Sequence, residues 1–316
     1  MKQKPKALKK GDTIGVIAPG SPAPKEASEK GIKVLTEMGF HVLLGESVFH
    51  KRGYLAGEDE IRVSDIHRMF YNQEVNGIVC MRGGDGSGRL LDKIDYGLIA
   101  RNPKVFVGYS DITALHIAFL QKADLVTFHG PMVTSDFAED DGNDYTKEAF
   151  YQAITCLQPL GILYNPSEAN DNEIKILKSG KAWGELVGGN LALIASTMGT
   201  PFEIDTRNKI LFLEDIHEQI YRIDRMINQL RLAGKLQAAS GFIIGEFIDY
   251  EPDNPDESLT FQQVMEDLIL PLGKPTLMGL KCGHGKYKMT LPLGVLAKLD
   301  ADNGYVSVIE SALNLY

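Results

Sequence analysis

Residues 104–121 read KVFVGYSDITALHIAFLQ, and this stretch decides the fold class of the chain. Residues 104–108 are apolar and rich in β-branched side chains, which predicts a buried strand. Residues 111–121 follow at once and predict a helix. The stretch before it has the same order, with a predicted strand at 77–81, a glycine-rich loop and a short predicted helix at 88–94. Strand then helix, repeated with short links, predicts a parallel sheet with helices on both faces.

The same alternation extends towards the N-terminus. Strands predicted at 13–18 and 41–44 alternate with helices predicted at 26–38 and 58–71. In sheets of this kind the reactive groups lie in loops beyond the carboxyl ends of the strands. We therefore expect an N-terminal α/β domain over residues 1–157, with its functional groups in the loops that follow its strands.

The alternation fades after residue 150. Residues 158–183 contain two prolines, several asparagines and scattered charge with weak periodicity, which predicts a linker. A smaller C-terminal α/β domain is expected over residues 184–316. Its predicted helices lie at 191–198, 216–230 and 260–269, and its predicted strands at 209–213, 242–244 and 295–299.

The composition is that of an ordinary globular protein with an acidic balance. The 316 residues include 33 lysines and arginines against 42 aspartates and glutamates, which gives a net charge of −9. A protein that binds nucleic acid usually presents a basic face, so no nucleic-acid partner is expected. No apolar run approaches the ~18 residues of a membrane span, so no membrane association is expected either.

The cysteines and the N-terminal residues bear on the compartment. The three cysteines, Cys80, Cys156 and Cys282, are odd in number and form no CxxC pair, which predicts reduced thiols. The lysine-rich first ten residues lead into no apolar segment, so no secretory signal is expected. Both observations favour a cytoplasmic protein.

The pentapeptide at 107–111 contains the sharpest candidate for chemistry. Ser110 directly follows a predicted strand and directly precedes a predicted helix, where a sharp turn exposes a nucleophile. The backbone N–H of Asp111 can then face a developing oxyanion at the helix N-terminus. The alternative is that these residues cap the helix, since serine and aspartate bind its orphan N–H groups. Ile112 also stands where the usual motif of such turns has a second glycine.

The loop from Arg82 to Arg89 has four glycines within six residues. Glycines let the backbone approach a ligand closely and present N–H donors, so a phosphate-binding loop is one interpretation. Neither G-x-x-x-x-G-K-[ST] nor G-x-G-x-x-G is present, however, and a plain tight turn has a similar composition.

Two further segments hold candidate acid–base groups. Glu214 and Asp215 follow a predicted buried strand, where an acid can orient a histidine, cap a helix or pair with an arginine. His284 lies between two glycines, so its imidazole can reach into a cleft, although a lone histidine is often structural. Ser110, Glu214 and His284 repeat the chain order nucleophile, acid, histidine of α/β-hydrolases. Cys282 lies near His284, but no second ligand pair has metal-site spacing, so no metal is expected.

These motifs together resemble one family. The chain is similar to the L,D-carboxypeptidases, serine peptidases whose family also contains the microcin C immunity proteins. The similarity extends over nearly the whole chain and rests on several motifs in the same order. They are GDTIGVIAPGSP at 11–22, YLAGEDEIRVSDI at 54–66, MRGGDGSGRLLDKIDY at 81–96, VGYSDITALH at 107–116, FHGPM at 128–132, GELVGGNLALI at 184–194, LFLEDIHEQIYRIDRMINQL at 211–230 and GHG at 283–285.

The resemblance implies a role for each candidate residue. Ser110 in GYSD matches the family's nucleophile, Glu214 in LFLED its carboxylate and His284 in GHG its base. The oxyanion hole would consist of the backbone N–H groups of Asp111 and Gly84. The resemblance also implies an active site between the N-terminal domain and the smaller C-terminal domain, a homodimer, and no metal or cofactor.

The substrate is less closely defined by the resemblance. The family's glycine loop often reads RGGYG, and Asp85 stands here at the tyrosine position, where an inward-pointing acid would repel a substrate carboxylate. A carboxypeptidase must also bind the terminal carboxylate, for which Arg82, Arg89 and Lys286 are candidates. Trp183 is the only tryptophan, and it either packs or stacks on a nucleobase.

The resemblance thus implies a serine carboxypeptidase that removes the terminal D-alanine from murein tetrapeptides in peptidoglycan recycling. Its expected partner is a small peptide or muropeptide. Two alternatives stay open at this point. One is an immunity peptidase of the microcin C type, which cleaves an aminoacyl-nucleotide bond. The other is a muropeptide-binding protein without catalysis. A nucleotide-binding module built on residues 82–89 is a weaker third reading.

Overall fold

The computed structural model describes residues 2–139, 144–169, 171–252 and 254–315. The chain divides into two compact units. The first consists of Met1–Pro159, Met289–Gly294 and Ser311–Tyr316, and the second consists of Leu160–Lys288 and Val295–Glu310. The chain therefore returns to the first unit twice after leaving it.

Strands and α-helices are numbered in chain order. The strands are β1 Thr13–Ile17, β2 His41–Leu44, β3 Gly77–Cys80, β4 Val105–Gly108, β5 Thr127–His129, β6 Gly161–Leu163, β7 Lys175–Lys178, β8 Lys181–Asn190, β9 Ile210–Ile216, β10 Gly241–Ile248, β11 Thr276–Met278, β12 Leu291–Leu293, β13 Leu296–Asp300 and β14 Tyr305–Val308. The helices are α1 Lys25–Glu37, α2 Asp59–Tyr71, α3 Tyr96–Arg101, α4 Thr113–Lys122, α5 Asp144–Thr155, α6 Leu191–Ser196, α7 Ile220–Leu232, α8 Lys235–Ala238 and α9 Phe261–Leu268.

The first unit is built on a six-stranded sheet in the order β12-β5-β4-β3-β1-β2. The strands from β2 to β5 are parallel, and β12 pairs antiparallel with β5 at the edge. The middle strands β3 and β4 are buried along their whole length, as expected for apolar strands covered on both faces. The predicted α/β class, with a mostly parallel N-terminal sheet flanked by helices, is thus confirmed.

The second unit is built on an eight-stranded mixed sheet in the order β6-β14-β13-β8-β9-β10-β11-β7. The strands from β8 to β11 are parallel, and the strands outside them pair antiparallel. The long strand β8 serves both halves, because residues 181–185 pair with β13 and residues 186–190 pair with β9. Its last residue, Asn190, lies opposite Glu214 of β9, so this register determines the place of that carboxylate in the sheet.

The segment expected to be a linker, residues 158–183, differs from that expectation. It contains β6, β7 and the first residues of β8, all of them paired within the second sheet. These strands gave a weak signal because β6 and β7 are short and mostly exposed. The stretch 184–316 is also not one unit, since β12 and the segment Ser311–Tyr316 belong to the first.

Other expectations differ in detail. The helix expected at 88–94 is a single 3-10 turn at Ser87–Leu90, and the unpredicted helix α3 follows it. Cys80 and Cys282 are buried, Cys156 is half-buried, and none of the three is in a disulfide. Across the described ranges, no helix combines the length and the apolar character needed to cross a membrane.

Gly188 in β8 offers a test of this sheet. A Cβ on Gly188 would lie 1.9 Å from the carbonyl oxygen of Phe212 in β9, and its φ is +133°. We expect Gly188→Ala to lower the free energy of unfolding by more than about 3 kcal/mol, because the two backbones would have to separate. Gly199→Ala is the control, since its φ of +81° is also positive but nothing lies within 4 Å of the added atom. That variant should lose only about 1 kcal/mol. Urea denaturation measures both, and equal losses would contradict the packing argument.

Candidate active site

Ser110 occupies a strained turn between a strand and a helix in the first unit. β4 ends at Gly108, a 3-10 turn covers Ser110–Ile112, and α4 begins at Thr113. The φ of Ser110 is +62°, a left-handed conformation that costs a residue with a Cβ about 1 kcal/mol. The N-cap residue of α4 is Ile112 and makes no side-chain capping bond, so capping does not explain Ser110. Such strain is typical of functional positions.

Glycines make room for this turn. A Cβ on Gly108 would lie 2.9 Å from the side chain of Ile112. A Cβ on Gly83 would lie 3.2 Å from Ser110 Oγ and 3.3 Å from the backbone nitrogen of Asp111. The space beside the hydroxyl and this N–H is therefore open because residue 83 has no side chain.

Ser21, which the sequence analysis did not single out, holds the glycine loop. Its backbone N–H donates to the carbonyl of Gly83 over 2.9 Å, and its hydroxyl accepts from the backbone N–H of Asp85 over 3.0 Å. Gly84 lies between these contacts with a φ of +87°, and a Cβ there would overlap the Ser21 hydroxyl. The side chain of Asp85 is exposed. The hydrogen bonds from Ser21 thus hold the loop in place, and only glycine fits at position 84 because a Cβ there would overlap Ser21.

The Asp111 side chain is tied to the same loop rather than to the helix that follows it. Its Oδ2 accepts from the backbone N–H of Ser87 over 2.9 Å, and the Ser87 hydroxyl donates to the Asp111 carbonyl over 2.5 Å. Burial, together with the charge of Asp85, raises the pKa of the Asp111 carboxyl to about 6, although the hydrogen bonds from Ser87 lower it. Asp111 therefore links the loop after β3 to the turn after β4.

A buried arginine, Arg62, forms hydrogen bonds to the backbone of the glycine loop. Arg62 in α2 is fully buried and donates to the carbonyls of Pro19, over 2.6 Å, and Gly86, over 2.9 Å. Its other nitrogen donates to Asp59, which also pairs with Arg89 and Lys93. The hydrogen bond from Arg89 is the largest cause that holds the pKa of Asp59 well below its usual range. Sequence reasoning missed Arg62, although its position four residues before Ile66 places it on the apolar face of the helix.

The second unit holds a buried acid–histidine pair. Glu214 in β9 is fully buried, and its Oε2 lies 2.6 Å from Nδ1 of His284. A carboxylate oxygen only accepts, so Nδ1 carries the proton and the lone pair of the neutral ring lies on Nε2. The predicted partnership of Glu214 with His284 is thus present within this unit.

A second carboxylate packs against the histidine loop. Glu246 in β10 accepts from the backbone N–H of Gly283 over 3.3 Å and lies 3.4 Å from Lys281 Nζ. A Cβ on Gly285 would overlap the Glu246 carboxylate. Burial raises the pKa of Glu246, and the charge of Lys281 lowers it. The glycines beside His284 are thus required by the close approach of this acid, a contact that the sequence could not reveal.

Asp215 has a different role from its neighbour. It accepts from Asn190 Nδ2 over 2.8 Å and from the backbone N–H of Ala192 over 2.9 Å, at the start of α6. Burial, together with the adjacent charge of Glu214, raises the pKa of Asp215 to about 6, although the hydrogen bonds from Asn190 and Ala192 lower it. Asp215 therefore holds the first turn of α6, which precedes it in the chain, and not the helix after it as the capping alternative supposed.

The remaining candidates are spread over both units. Arg82 donates to the carbonyl of Pro22 over 3.3 Å, and the Lys286 ammonium lies 5.7 Å from the ring of Tyr287. Trp183 in β8 is 51% exposed, so it does not pack in a core. No group of three or more metal-ligating side chains occurs among the residues that the structure describes.

His116 contacts the last residue of β4, just before the turn that contains Ser110. It is fully buried in α4, with Nε2 2.8 Å from the carbonyl oxygen of Gly108 and Nδ1 2.9 Å from the Thr127 hydroxyl. Burial lowers its pKa to about 4, although the bond to Gly108 opposes the shift. The rings of Phe106 and His129 pack beside it at 5.5 and 6.5 Å. His116 is thus neutral at pH 7.

This burial predicts acid sensitivity. Between pH 7 and pH 5 the unfolded chain takes up a proton at His116 that the folded chain does not, so stability falls as the pH falls. For a native pKa of about 4 against 6.5, the loss from this group is about 2 kcal/mol. Denaturation of the wild type and His116→Gln at both pH values measures it, because the difference between the two proteins cancels the other titrating groups, including His129. If the difference in free energy of unfolding between the two proteins is the same at pH 7 and pH 5, His116 does not have the lowered pKa.

Taken separately, the two units hold the parts of one class of catalyst. A serine on a strained strand-to-helix turn and a histidine oriented by a buried carboxylate are the components of a serine hydrolase.

Comparisons with known proteins agree with this class. Residues 14–130 match the family model described as LD-carboxypeptidase N-terminal domain, and residues 183–299 match LD-carboxypeptidase C-terminal domain. A probable murein peptide carboxypeptidase of Bacillus subtilis is 45% identical over 98% of this chain and 95% of its own length.

Two solved structures are also similar. The muramoyltetrapeptide carboxypeptidase of Oxalobacter formigenes has a TM-score of 0.82 and 32% identity, over 93% of this chain and 97% of its own. The microcin C7 self-immunity protein MccF, in complex with aspartyl sulfamoyl adenosine, has a TM-score of 0.88 and 30% identity, over 99% and 100%. The chain belongs to the LD-carboxypeptidase family, and it is a hydrolase of the serine carboxypeptidase class.

Proposed function

We propose that this protein is an L,D-carboxypeptidase that removes the terminal D-alanine from murein tetrapeptides. The observation that carries the proposal is the contact between the buried Glu214 and the partly exposed His284, whose Oε2 and Nδ1 lie 2.6 Å apart, in a chain whose Ser110 has a left-handed φ. The names of its relatives, which include a muramoyltetrapeptide carboxypeptidase, support the choice of substrate.

In the proposed reaction Ser110 attacks the carbonyl carbon of the scissile amide. His284 Nε2 accepts the hydroxyl proton and then donates it to the leaving amine of D-alanine. Water hydrolyses the acyl-enzyme by the same steps in reverse order. Glu214 holds the tautomer of His284 and stabilises its cationic form. Its Oε1 is buried and makes no hydrogen bond among the residues described, so its charge acts chiefly on the imidazole.

The oxyanion is proposed to form between the backbone N–H groups of Asp111 and Gly84. One such donor contributes about 3–4 kcal/mol to the transition state in serine peptidases. Support comes from the open space that Gly83 leaves beside Ser110 Oγ and Asp111 N, and from the Ser21 contacts that hold the loop. The donors are therefore preorganised within the first unit.

Arg82 is the group we propose for the terminal carboxylate of the substrate. Arg89 is already bound to Asp59 through Nε, at 3.0 Å, and NH2, at 3.2 Å. Arg82 makes a single long bond to the Pro22 carbonyl and stands beside Gly83 and Gly84. Because Asp85 is exposed and its backbone N–H is held by Ser21, its carboxylate mainly adds charge at the rim of the loop.

A homodimer in the cytoplasm, acting in peptidoglycan recycling, completes the proposal. The absence of a disulfide among the three cysteines supports a reducing compartment. Light scattering of the purified protein tests the dimer, and a monomeric mass would refute it.

Substitution of the proposed nucleophile tests the reaction. We expect the wild type to release one D-alanine from a murein tetrapeptide and Ser110→Ala to release none while keeping its melting temperature. Mass spectrometry of the products measures both. Equal turnover by the two proteins would refute Ser110 as the nucleophile.

The same assay distinguishes the alternative functions. A wild type that is inactive on the tetrapeptide but cleaves an aspartyl-nucleotide would favour an activity of the microcin C type, for which the MccF complex with aspartyl sulfamoyl adenosine is the supporting observation. An inactive wild type that still binds the tetrapeptide in calorimetry would favour the non-catalytic reading.

Adjacent carboxylates give a matched test of the acid. Glu214→Gln should lower kcat by about 10³- to 10⁴-fold, because the amide no longer holds the required tautomer of His284. Asp215→Asn is the control, since that buried acid contacts the start of α6 and not the histidine. It should lower the melting temperature but keep kcat within about threefold, as expected of a group outside the chemistry. Steady-state kinetics on the tetrapeptide distinguishes them, and equal kcat losses would disprove the assignment of Glu214.

A further inference from the structure

A buried contact behind the nucleophile turn has no part in the proposed chemistry. His116 lies in the second turn of α4 and joins the carbonyl of Gly108, the last residue of β4, to the hydroxyl of Thr127, the first residue of β5. All of the side chains involved are fully buried. An apolar side chain would fill the same space without the cost of desolvating an imidazole. The hydrogen bond on each ring nitrogen therefore calls for an explanation beyond packing.

The partners define the state of the ring. The Gly108 carbonyl can only accept, so Nε2 must carry a proton and donate to it. In the neutral ring Nδ1 then holds the lone pair and accepts from the Thr127 hydroxyl. Burial favours this neutral form at pH 7. The Gly108 carbonyl therefore selects the tautomer with the proton on Nε2, and the Thr127 hydroxyl, which can donate or accept, donates to Nδ1.

The Gly108 carbonyl belongs to the peptide unit that leads into the turn. It accepts a second hydrogen bond, from the backbone N–H of Gly130 over 3.0 Å. Two donors on one carbonyl restrict rotation of the peptide plane between Gly108 and Tyr109. The next residue, Ser110, has the left-handed φ of +62°. A residue keeps such a conformation only where its surroundings over-determine it.

We infer that His116 is a positioning residue for the nucleophile, which acts by clamping the Gly108 carbonyl so that Ser110 stays in its left-handed conformation. This inference rests on the proposed role of Ser110. His116 touches no reacting atom, so its loss should lower kcat through misplacement of the Ser110 hydroxyl, with little change in substrate binding. Misplacement of a reacting group by about 1 Å can cost up to 10²-fold in rate.

Two substitutions separate this role from a merely structural one. His116→Gln places its amide N–H near the position of Nε2 and can keep the bond to Gly108. His116→Asn reaches only the position of Nδ1 and leaves the carbonyl with Gly130 alone. Both remove a buried imidazole, so both should lower the melting temperature. We expect His116→Gln to keep kcat within about threefold and His116→Asn to lower it about 10- to 100-fold, with KM of each within about twofold of the wild type.

Steady-state kinetics on the murein tetrapeptide gives kcat and KM separately for the wild type and the two variants. Equal kcat losses in the two variants, or a wild-type kcat in His116→Asn, would overturn the inference. Thr127→Val, which removes the hydroxyl bound to Nδ1 of His116 and keeps the shape of the side chain, serves if His116→Asn does not fold. It should lower kcat severalfold, and an unchanged kcat would count against the clamp.

Crystal structures of the variants separate this inference from the proposed function. If the wild type turns over no tetrapeptide, the proposed function fails, and the clamp is then judged from backbone geometry alone. Ser110 should leave its positive φ in His116→Asn and keep it in His116→Gln. A positive φ in both variants would overturn the clamp whatever the activity.

Discussion

The turn that contains Ser110 and the glycine loop beside it depend on the hydrogen bonds of the Arg62 guanidinium. It is a fully buried cation that donates to two backbone carbonyls, one in the turn after β1 and one in the loop after β3. Removal of one member of such a buried pair costs about 3–5 kcal/mol, because its partner keeps an uncompensated charge. Asp59 is the partner of Arg62, so removal of Asp59 would leave the buried Arg62 cation without an opposite charge, whereas Asp59 itself also pairs with Arg89 and Lys93. The buried Arg62 cation therefore holds the glycine loop in place through Gly86. Ser87, the next residue, passes this constraint to the backbone of Asp111.

Much of the fold could be predicted from periodicity. The strand–helix alternation of the first 130 residues predicted β1 to β4, α1, α2 and α4, since buried parallel strands are continuous apolar runs and their helices are amphipathic. The second unit was harder. β8 contains three glycines, at 184, 188 and 189, which lower strand propensity. A Cβ on Gly184 would overlap the backbone of Asn208, and a Cβ on Gly188 would overlap the backbone of Phe212 in β9. A position chosen for backbone contact gives no hydrophobic signal.

The candidate site divides in the same way. Ser110, Glu214 and His284 could be named from residue type, chain position and resemblance, because chemistry limits which groups can act as nucleophile, acid and base. Within the second unit the structure joins Glu214 to His284, whereas the role of Ser110 remains a prediction. Arg62, His116 and Glu246 could not be predicted, since each acts through a backbone group that is distant in sequence. Residues that hold a site in place are identified by their contacts, and contacts require the fold.

The route of the chain gives the first unit an unusual dependence on the end of the sequence. β12, at Leu291–Leu293, closes the edge of its sheet beside β5, and the segment Ser311–Tyr316 also belongs to it. The first sheet is therefore completed only after residue 293 has been synthesised, long after residues 127–129 of β5. A fragment that stops at residue 159 would leave β5 as an open edge, with unpaired backbone groups able to recruit another strand. Neither unit is one continuous piece of the chain, so loss of residues 289–294 damages the unit whose other strands are synthesised first.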